Sequence, residues 1–169
     1  MDLGFIVPPK IISGDDLLVQ AAQEMHKLGI RLTGVVQHNP LAKGADRCEM
    51  VLEILRANDQ LLISQDLGPM SKGCRLNASA LEQAVGLVMI SLAQQKSDML
   101  IINKFGKQEV DGRGFRPAIA MALEEEVPVL VMVRPESLQN FQDFIGDMGQ
   151  EIVPDLQAIM LWVKGVLGR

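Results

Sequence analysis

The sequence predicts an α/β fold of three layers, in which a mainly parallel sheet has helices on both faces. Short apolar runs alternate with amphipathic segments from one end of the chain to the other. The runs at residues 99–102 and 128–133 are apolar throughout, which is typical of strands buried on both faces. With 169 residues, of which 48% are hydrophobic and 22% charged, the chain can form one core, so we expect a single domain over residues 1–169.

The first half of the chain predicts one helix and four strands. Residues 15–28 have apolar side chains at the three- to four-residue spacing of an amphipathic helix, which Ser13 or Asp15 can cap and Gly29 can end. The predicted strands are residues 3–7, 32–37, 48–55 and 60–64. The last two flank a short polar turn and therefore predict a hairpin.

The second half repeats the alternation of strand and helix. Asn77 is suited to cap a helix over residues 78–95. Further helices are predicted at residues 115–126, 137–145 and 155–167, and strands at residues 99–102, 128–133 and 151–153.

In open α/β sheets, ligands lie beyond the carboxyl ends of the strands, so the loops that leave strands at residues 8–15, 64–77 and 103–115 are the candidate sites. The first loop lacks the chemistry of a phosphate-binding loop, since it has one glycine and two prolines without N–H groups. Asp15 and Asp16 would also repel phosphate from the positive end of the helix. A helix N-cap is the preferred interpretation of this loop.

The third loop carries a cluster of basic residues in an otherwise acidic chain. These residues are Lys104, Lys107, Arg113 and Arg116. Guanidinium and ammonium groups bind phosphate, sulfate or carboxylate, and the neighbouring glycines allow the backbone to approach a ligand. The cluster predicts an anion site, with pairing to Glu109 and Asp111 within the loop as the alternative.

The second loop adds Lys72 and Arg75 as assisting cations, and Cys74 as a candidate thiol. A cation and a helix start next to Cys74 would favour its thiolate form, but burial as a core residue is the preferred interpretation because neither histidine stands at a recognisable spacing. Cys48 and Cys74 lie 26 residues apart without a CxxC motif, so we predict no metal site from them.

Charge and hydropathy restrict the partners. The net charge of −5 argues against nucleic acid held by bulk electrostatics. The first residues are acidic rather than basic, and no apolar run approaches the length of a membrane span, so we expect a cytoplasmic protein with no membrane partner. The sequence identifies no cofactor.

Five short motifs carry a resemblance to a known family: residues 48–50, 64–69, 73–76, 103–109 and 112–116. Together they resemble a bacterial domain-of-unknown-function family, some of whose members are described beside molybdenum-transport ATP-binding proteins. The resemblance covers nearly the whole chain and implies its fold, but it implies little biochemistry.

A more distant similarity is to the small P-loop nucleoside triphosphatases. Gly106, Lys107 and Glu109 match the pattern that follows a carboxylate-bearing strand in those proteins. Asn103 and Lys104 stand where that family has its magnesium-linked Asp and its activating Glu. The similarity therefore implies a P-loop-like scaffold on which ordinary magnesium-dependent hydrolysis is not expected.

Three functions remain open on the sequence. The first is an accessory protein that binds an anion, either a nucleotide phosphate or an oxyanion such as molybdate. The second is a divergent nucleotide hydrolase that uses Asp66 or Glu109 as a base or metal ligand. The third is an interaction module or homo-oligomer that uses the apolar stripe of residues 155–167. For the first, we expect Cys74, Arg75, Lys107 and Arg113 to converge on one pocket.

Overall fold

The computed structural model describes residues 2–41, 47–57, 59–68, 70 and 75–168. The strands of this part of the chain are β1 Leu3–Ile6, β2 Leu32–His38, β3 Val51–Leu55, β4 Asp59–Leu62, β5 Met99–Phe105, β6 Val129–Val133 and β7 Gly149–Glu151. They form one sheet in the order β4-β3-β2-β5-β6-β1-β7. The neighbouring strands β2, β5, β6, β1 and β7 pair in parallel. The hairpin of β3 and β4 is antiparallel, and β3 also pairs antiparallel with β2. The predicted mainly parallel sheet is confirmed.

Three of the six described helices begin at a residue whose side chain caps them. The helices are α1 Gly14–Lys27, α2 Ala78–Gln94, α3 Lys107–Val110, α4 Arg116–Glu124, α5 Leu138–Ile145 and α6 Leu156–Leu167. The three capped helices are α1, α2 and α6. Ser13 Oγ accepts a hydrogen bond from the Asp16 amide at 3.3 Å, and Asn77 Oδ1 accepts one from the Ala80 amide at 3.1 Å. Both predicted caps are confirmed, because each satisfies an N–H that the helix itself leaves free.

Two cores lie on opposite faces of the sheet. Successive residues of β5 alternate between them, with Leu100 and Ile102 on one face and Met99 and Ile101 on the other. Helices α2, α4 and α5 cover the first face, and α1 and α6 cover the second. The result is the predicted three-layer arrangement.

None of the described helices has the length and hydropathy to cross a membrane.

Strand β5 is longer than the sequence pattern predicts. It continues through Asn103 and Lys104 to Phe105, because β6 pairs with it as far as Val133. The Phe105 ring is fully buried, with its centroid 5.0 Å from that of Phe141. Hydrogen bonding to β6 therefore places two polar side chains at the end of a core strand.

Candidate functional site

A cleft of about 300 Å³ lies beyond the carboxyl ends of β1 and β6. One wall is the loop at residues 8–15 and the other is the segment at residues 132–136, with Lys104 of β5 between them. Open α/β sheets form ligand crevices at this edge. We refer to this space, lined by residues 8–10, 12–15, 104 and 132–136, as the carboxyl-edge cleft.

The loop of the cleft is packed tightly against β6. A Cβ atom at Gly14 would lie 2.2 Å from the Met132 sulfur and 2.6 Å from Pro8 Cγ, so only glycine fits there. The Ile12 amide donates to the Pro9 carbonyl at 2.9 Å, which closes the loop into a turn. The loop is therefore a compact helix entry, as the sequence predicts, and not an open cradle of amides around a phosphate chain.

Lys104 reaches across the edge of the sheet to the start of α1. Its Nζ lies 3.0 Å from Asp15 Oδ1 and 3.3 Å from Asp15 Oδ2. The two side chains are only 21% and 14% exposed, so solvent screens this ion pair less than a surface pair.

The ion pair is part of a polar chain. Asn39 Nδ2 donates to Asp15 Oδ2 at 2.8 Å, and Gln37 Nε2 donates to Asn39 Oδ1 at 2.7 Å. These contacts join the end of β2, the first turn of α1 and the end of β5. Three segments that are distant in sequence therefore fix the position of the Lys104 ammonium.

Asn103 precedes Lys104 and is 1% exposed. Its Oδ1 and Nδ2 have no hydrogen-bond partner among the described residues. Asn103 pairs with Met132, so both side chains lie on the α1 face of the sheet, beside the carboxyl-edge cleft. A buried amide without partners is unfavourable by roughly 1–3 kcal/mol per group, so Asn103 needs a compensating partner such as a water molecule, an ion or a ligand.

Two further cations line the cleft, and the sequence analysis missed both of them. Lys10 is exposed and forms no ion pair with another described residue. The Arg134 Nη1 atom lies 3.5 Å from Glu136 Oε1, and both side chains are largely exposed, so this contact holds the guanidinium weakly. Neither residue belongs to a basic cluster in the sequence. The position of Arg134 directly after β6 is the signal that could have identified it.

The Glu109 side chain binds backbone amides of the loop that follows β5. Its Oε2 accepts a hydrogen bond from the Gly106 amide at 2.9 Å, and its Oε1 accepts one from the Phe115 amide at 3.0 Å. Burial raises the pKa of the Glu109 carboxyl above its ordinary value, while these amides partly oppose the increase. With both oxygens bound to backbone, Glu109 holds the loop in shape and has little freedom to act as a base.

The other basic residues of the third loop lie in different environments. Lys107 is exposed at the start of α3, and Arg113 is exposed with its Nη2 atom 3.8 Å from Asp111 Oδ2. The Arg116 guanidinium lies over the Phe144 ring, 4.4 Å from its centroid, and donates to the Glu109 carbonyl at 3.1 Å. Lys104 and Arg116 are therefore held at separate places by separate partners.

The second loop is described only in part. Lys72 and Cys74 lie outside the described residues. Asp66 Oδ1 accepts a hydrogen bond from the Gly68 amide at 2.8 Å, within a local turn. Strand β4 runs in the same direction as β5, so both loops leave the same end of the sheet, but β3 and β2 lie between these strands. Convergence of Cys74, Arg75, Lys107 and Arg113 stays a prediction. Cys48 is an exposed free thiol.

A magnesium-bound triphosphate does not fit the residues of this edge. Asn103 and Lys104 bring an amide and an ammonium to the end of β5, and an ammonium does not ligate Mg²⁺. The loop after β1 offers a capped helix start in place of a glycine-rich phosphate loop. Among the described residues, no group of three His, Cys, Asp or Glu side chains is placed to hold a metal ion.

The fold and its crevice define an α/β protein with a three-layer, mainly parallel sheet. The solution structure of a human cancer-related nucleoside triphosphatase superposes with a TM-score of 0.64 at 15% identity, covering 98% of this chain and 96% of that one. The crystal structure of THEP1 from Aquifex aeolicus gives 0.64 at 13% identity, covering 99% and 98%. At these identities the likeness establishes the fold alone.

Residues 5–162 match the family described as protein of unknown function (DUF2478), and the chain belongs to this family. The predicted resemblance to a domain-of-unknown-function family is confirmed. A curated relative, the molybdenum import ATP-binding protein ModC 2 of Bradyrhizobium diazoefficiens, is 32% identical over 157 residues. The match covers 92% of this chain and spans only 17% of the length of that relative.

Proposed function

We propose that the chain binds a small anion, an oxyanion or a nucleotide phosphate without a metal, in the carboxyl-edge cleft. Lys104 carries this proposal. Its ammonium stands at the end of a central strand, is shielded from bulk solvent, and faces the first turn of α1. Because solvent screens it weakly, the ammonium attracts a neighbouring anion strongly, the Asp15 carboxylate included.

Lys10 and Arg134 complete the binding groups. Both line the same cleft, so a ligand there would meet three cations, against the carboxylates of Asp15 and Glu136 in the same lining. A guanidinium can hold two oxygens of a phosphate or oxyanion, and an ammonium acts as a point charge. Exposure of Lys10 and Arg134 makes the proposed binding sensitive to salt.

The Asp15 carboxylate competes with an incoming anion for Lys104. This carboxylate occupies the Lys104 ammonium in the absence of ligand, so an incoming anion must share or displace it. Asn39 can hold the released Asp15 carboxylate, because it already donates to Asp15 Oδ2. Binding is therefore expected to be selective for anions small enough to reach Lys104.

Molybdate is one of the anions to test, because the 32% identical relative is named as a molybdenum import ATP-binding protein. Sulfate and phosphate test a general oxyanion site, and AMP and ATP without magnesium test a nucleotide phosphate. Calorimetric titrations at low ionic strength measure the affinity for each.

We expect saturable binding of at least one of these anions. Lys104→Ala should weaken it tenfold or more and Arg134→Ala severalfold, whereas Lys164→Ala, an exposed lysine on α6, should leave it unchanged. Lys107→Ala and Arg113→Ala distinguish anion binding in the cleft from anion binding at the third loop. Loss of affinity in these two variants but not in Lys104→Ala would contradict the proposal, as would the absence of binding by every anion.

A further inference from the structure

A second and larger hollow lies at the opposite end of α1 from the carboxyl-edge cleft. It has a volume of about 620 Å³ and runs between the second half of α1 and strands β2 and β3. We call it the α1–β3 groove. Its volume falls within the roughly 300–1,000 Å³ that is usual for small-molecule sites.

The groove exists because the two faces of the hairpin are covered differently. Helix α2 packs against β2, β3 and β4 on one face of the sheet. On the other face α1 packs mainly on β2 and β5. Leu55 of β3 therefore lines the groove, and Leu62 of β4 is 51% exposed.

The walls of the groove are aliphatic. They include Val19 and Ala22 of α1, Leu32 and Val36 of β2, and Leu55 of β3. His26 is the one aromatic ring among the described residues that line the groove, so most of its wall is aliphatic. The walls favour an alkyl chain over a planar aromatic group.

Three basic side chains lie along the rim of the groove. Lys27, Arg31 and Arg56 line it, against Glu53 as an acidic side chain. Lys27 is paired with Glu24 at 2.7 Å, Arg31 with Asp98, and Glu53 with His38 at 2.7 Å. Within the described residues, Arg56 contacts no carboxylate, and its Nη1 donates to the Lys96 carbonyl at 2.7 Å.

Arg56 is also held in an unusual backbone conformation. Its φ is +81°, in the left-handed region that favours glycine. The hydrogen bond to Lys96 fixes the guanidinium at the rim, where no carboxylate of the described residues pairs with it. An arginine at this position gives the groove one anchored cation at the edge of an aliphatic surface.

We propose that the α1–β3 groove binds an aliphatic carboxylate, with its alkyl chain against Val19 and Leu55 and its carboxylate at Arg56. A guanidinium complements a carboxylate by charge and by its two parallel N–H donors. Burial of the alkyl chain supplies the main driving force, at about 25 cal/mol per Å² of apolar surface.

Sodium decanoate below its micellar concentration is the probe, followed by calorimetry and by the thermal midpoint of the protein. Decanol, decyltrimethylammonium and acetate are the comparison ligands. We expect one saturable site for decanoate, binding at least tenfold weaker for decanol, and none for acetate or the cationic amphiphile.

Two variants test the two ends of the proposed ligand. Arg56→Gly removes the guanidinium and relieves the positive φ, so the fold should be retained while decanoate binds at least tenfold more weakly. Val19→Asp puts a carboxylate on the aliphatic wall and should abolish binding. The matched controls are Lys164→Ala and Val153→Asp, a valine that is 66% exposed outside the groove.

Three results would overturn the proposal. They are the absence of saturable decanoate binding, equal binding of decanol and decanoate, and binding unchanged in Arg56→Gly. A dimer that Val19→Asp dissociates, in a protein that binds no decanoate, would assign the groove to a second copy of the chain instead. If Val19→Asp fails to fold, Arg56→Gly decides the question.

Discussion

Asp15 and Glu109 are two shielded carboxylates near the end of β5, and they differ in what holds them. Asp15 is bound by side-chain groups, the Lys104 ammonium and the Asn39 amide. Glu109 is bound by two backbone amides of its own loop. A side-chain partner can turn towards a ligand, whereas a backbone amide cannot leave without unfolding the loop. The start of α1 is therefore suited to exchange partners, and the loop after β5 is suited to stay fixed.

The largest effect is expected from Glu109→Ala. It leaves the Gly106 and Phe115 amides without acceptors in a buried loop, and two such groups destabilise by about 3 kcal/mol. Urea unfolding measures this change in the free energy of unfolding. The control is Glu125→Ala, at an exposed position. Equal stability of these two variants would show that Glu109 does not hold the loop.

Gly114→Ala tests how closely the backbone of the same loop approaches Glu109. Gly114 has φ +66°, and a Cβ there would lie 2.0 Å from Glu109 Oε1. Gly112 has φ +83° with no atom within 4 Å of the same position, so Gly112→Ala is the matched control for backbone strain alone. We expect about 1 kcal/mol of destabilisation in Gly112→Ala and clearly more in Gly114→Ala. Equal losses would contradict the close contact.

The pH dependence of stability distinguishes Glu109 from an ordinary surface carboxylate. Burial raises the pKa of Glu109 in the folded chain above its ordinary value of 4.5. The folded state therefore holds its proton more tightly than the unfolded state, and the contribution of Glu109 to stability falls as the pH rises above 4.5. The difference in unfolding free energy between the wild type and Glu109→Gln should decrease over that range. An increase with pH would contradict the account.

The smallest effect is expected from Asp15→Asn, which tests whether the carboxylate held by side chains can exchange its partner for a ligand. Asparagine keeps an oxygen for Lys104 but removes the competing charge, so anion affinity should rise about threefold to tenfold, or about 1 kcal/mol. The variant should unfold within about 1 kcal/mol of the wild type. Calorimetric titration measures the affinity, and unchanged or weaker binding would show that Asp15 does not compete with the ligand.

Most of the fold could be predicted from the sequence, because local patterns carry it. Helical periodicity located α1, α2 and α6, and the side chains of Ser13 and Asn77 marked two helix starts. The end of β5 could not be predicted, because its pairing with β6 carries polar residues beyond the apolar run.

The candidate site was predictable only where its residues cluster in sequence. Lys104 was identified from the basic loop, but Lys10 and Arg134 are isolated residues that the fold brings to one cleft. The basic loop also predicts Arg116 as a cation for a ligand, yet its stacking partner Phe144 lies on another helix. Contacts between distant segments leave no local pattern.

The most direct test of the central claim is to locate the bound anion. Amide chemical shifts of the 18.5 kDa chain can be followed by ¹⁵N-edited NMR during titration with phosphate or molybdate. Binding in the carboxyl-edge cleft should shift the amides of Gly14, Asp15, Lys104 and Arg134, and the shifts should disappear in Lys104→Ala. Saturable shifts confined to Lys107 and Arg113, with the cleft amides unmoved, would contradict it.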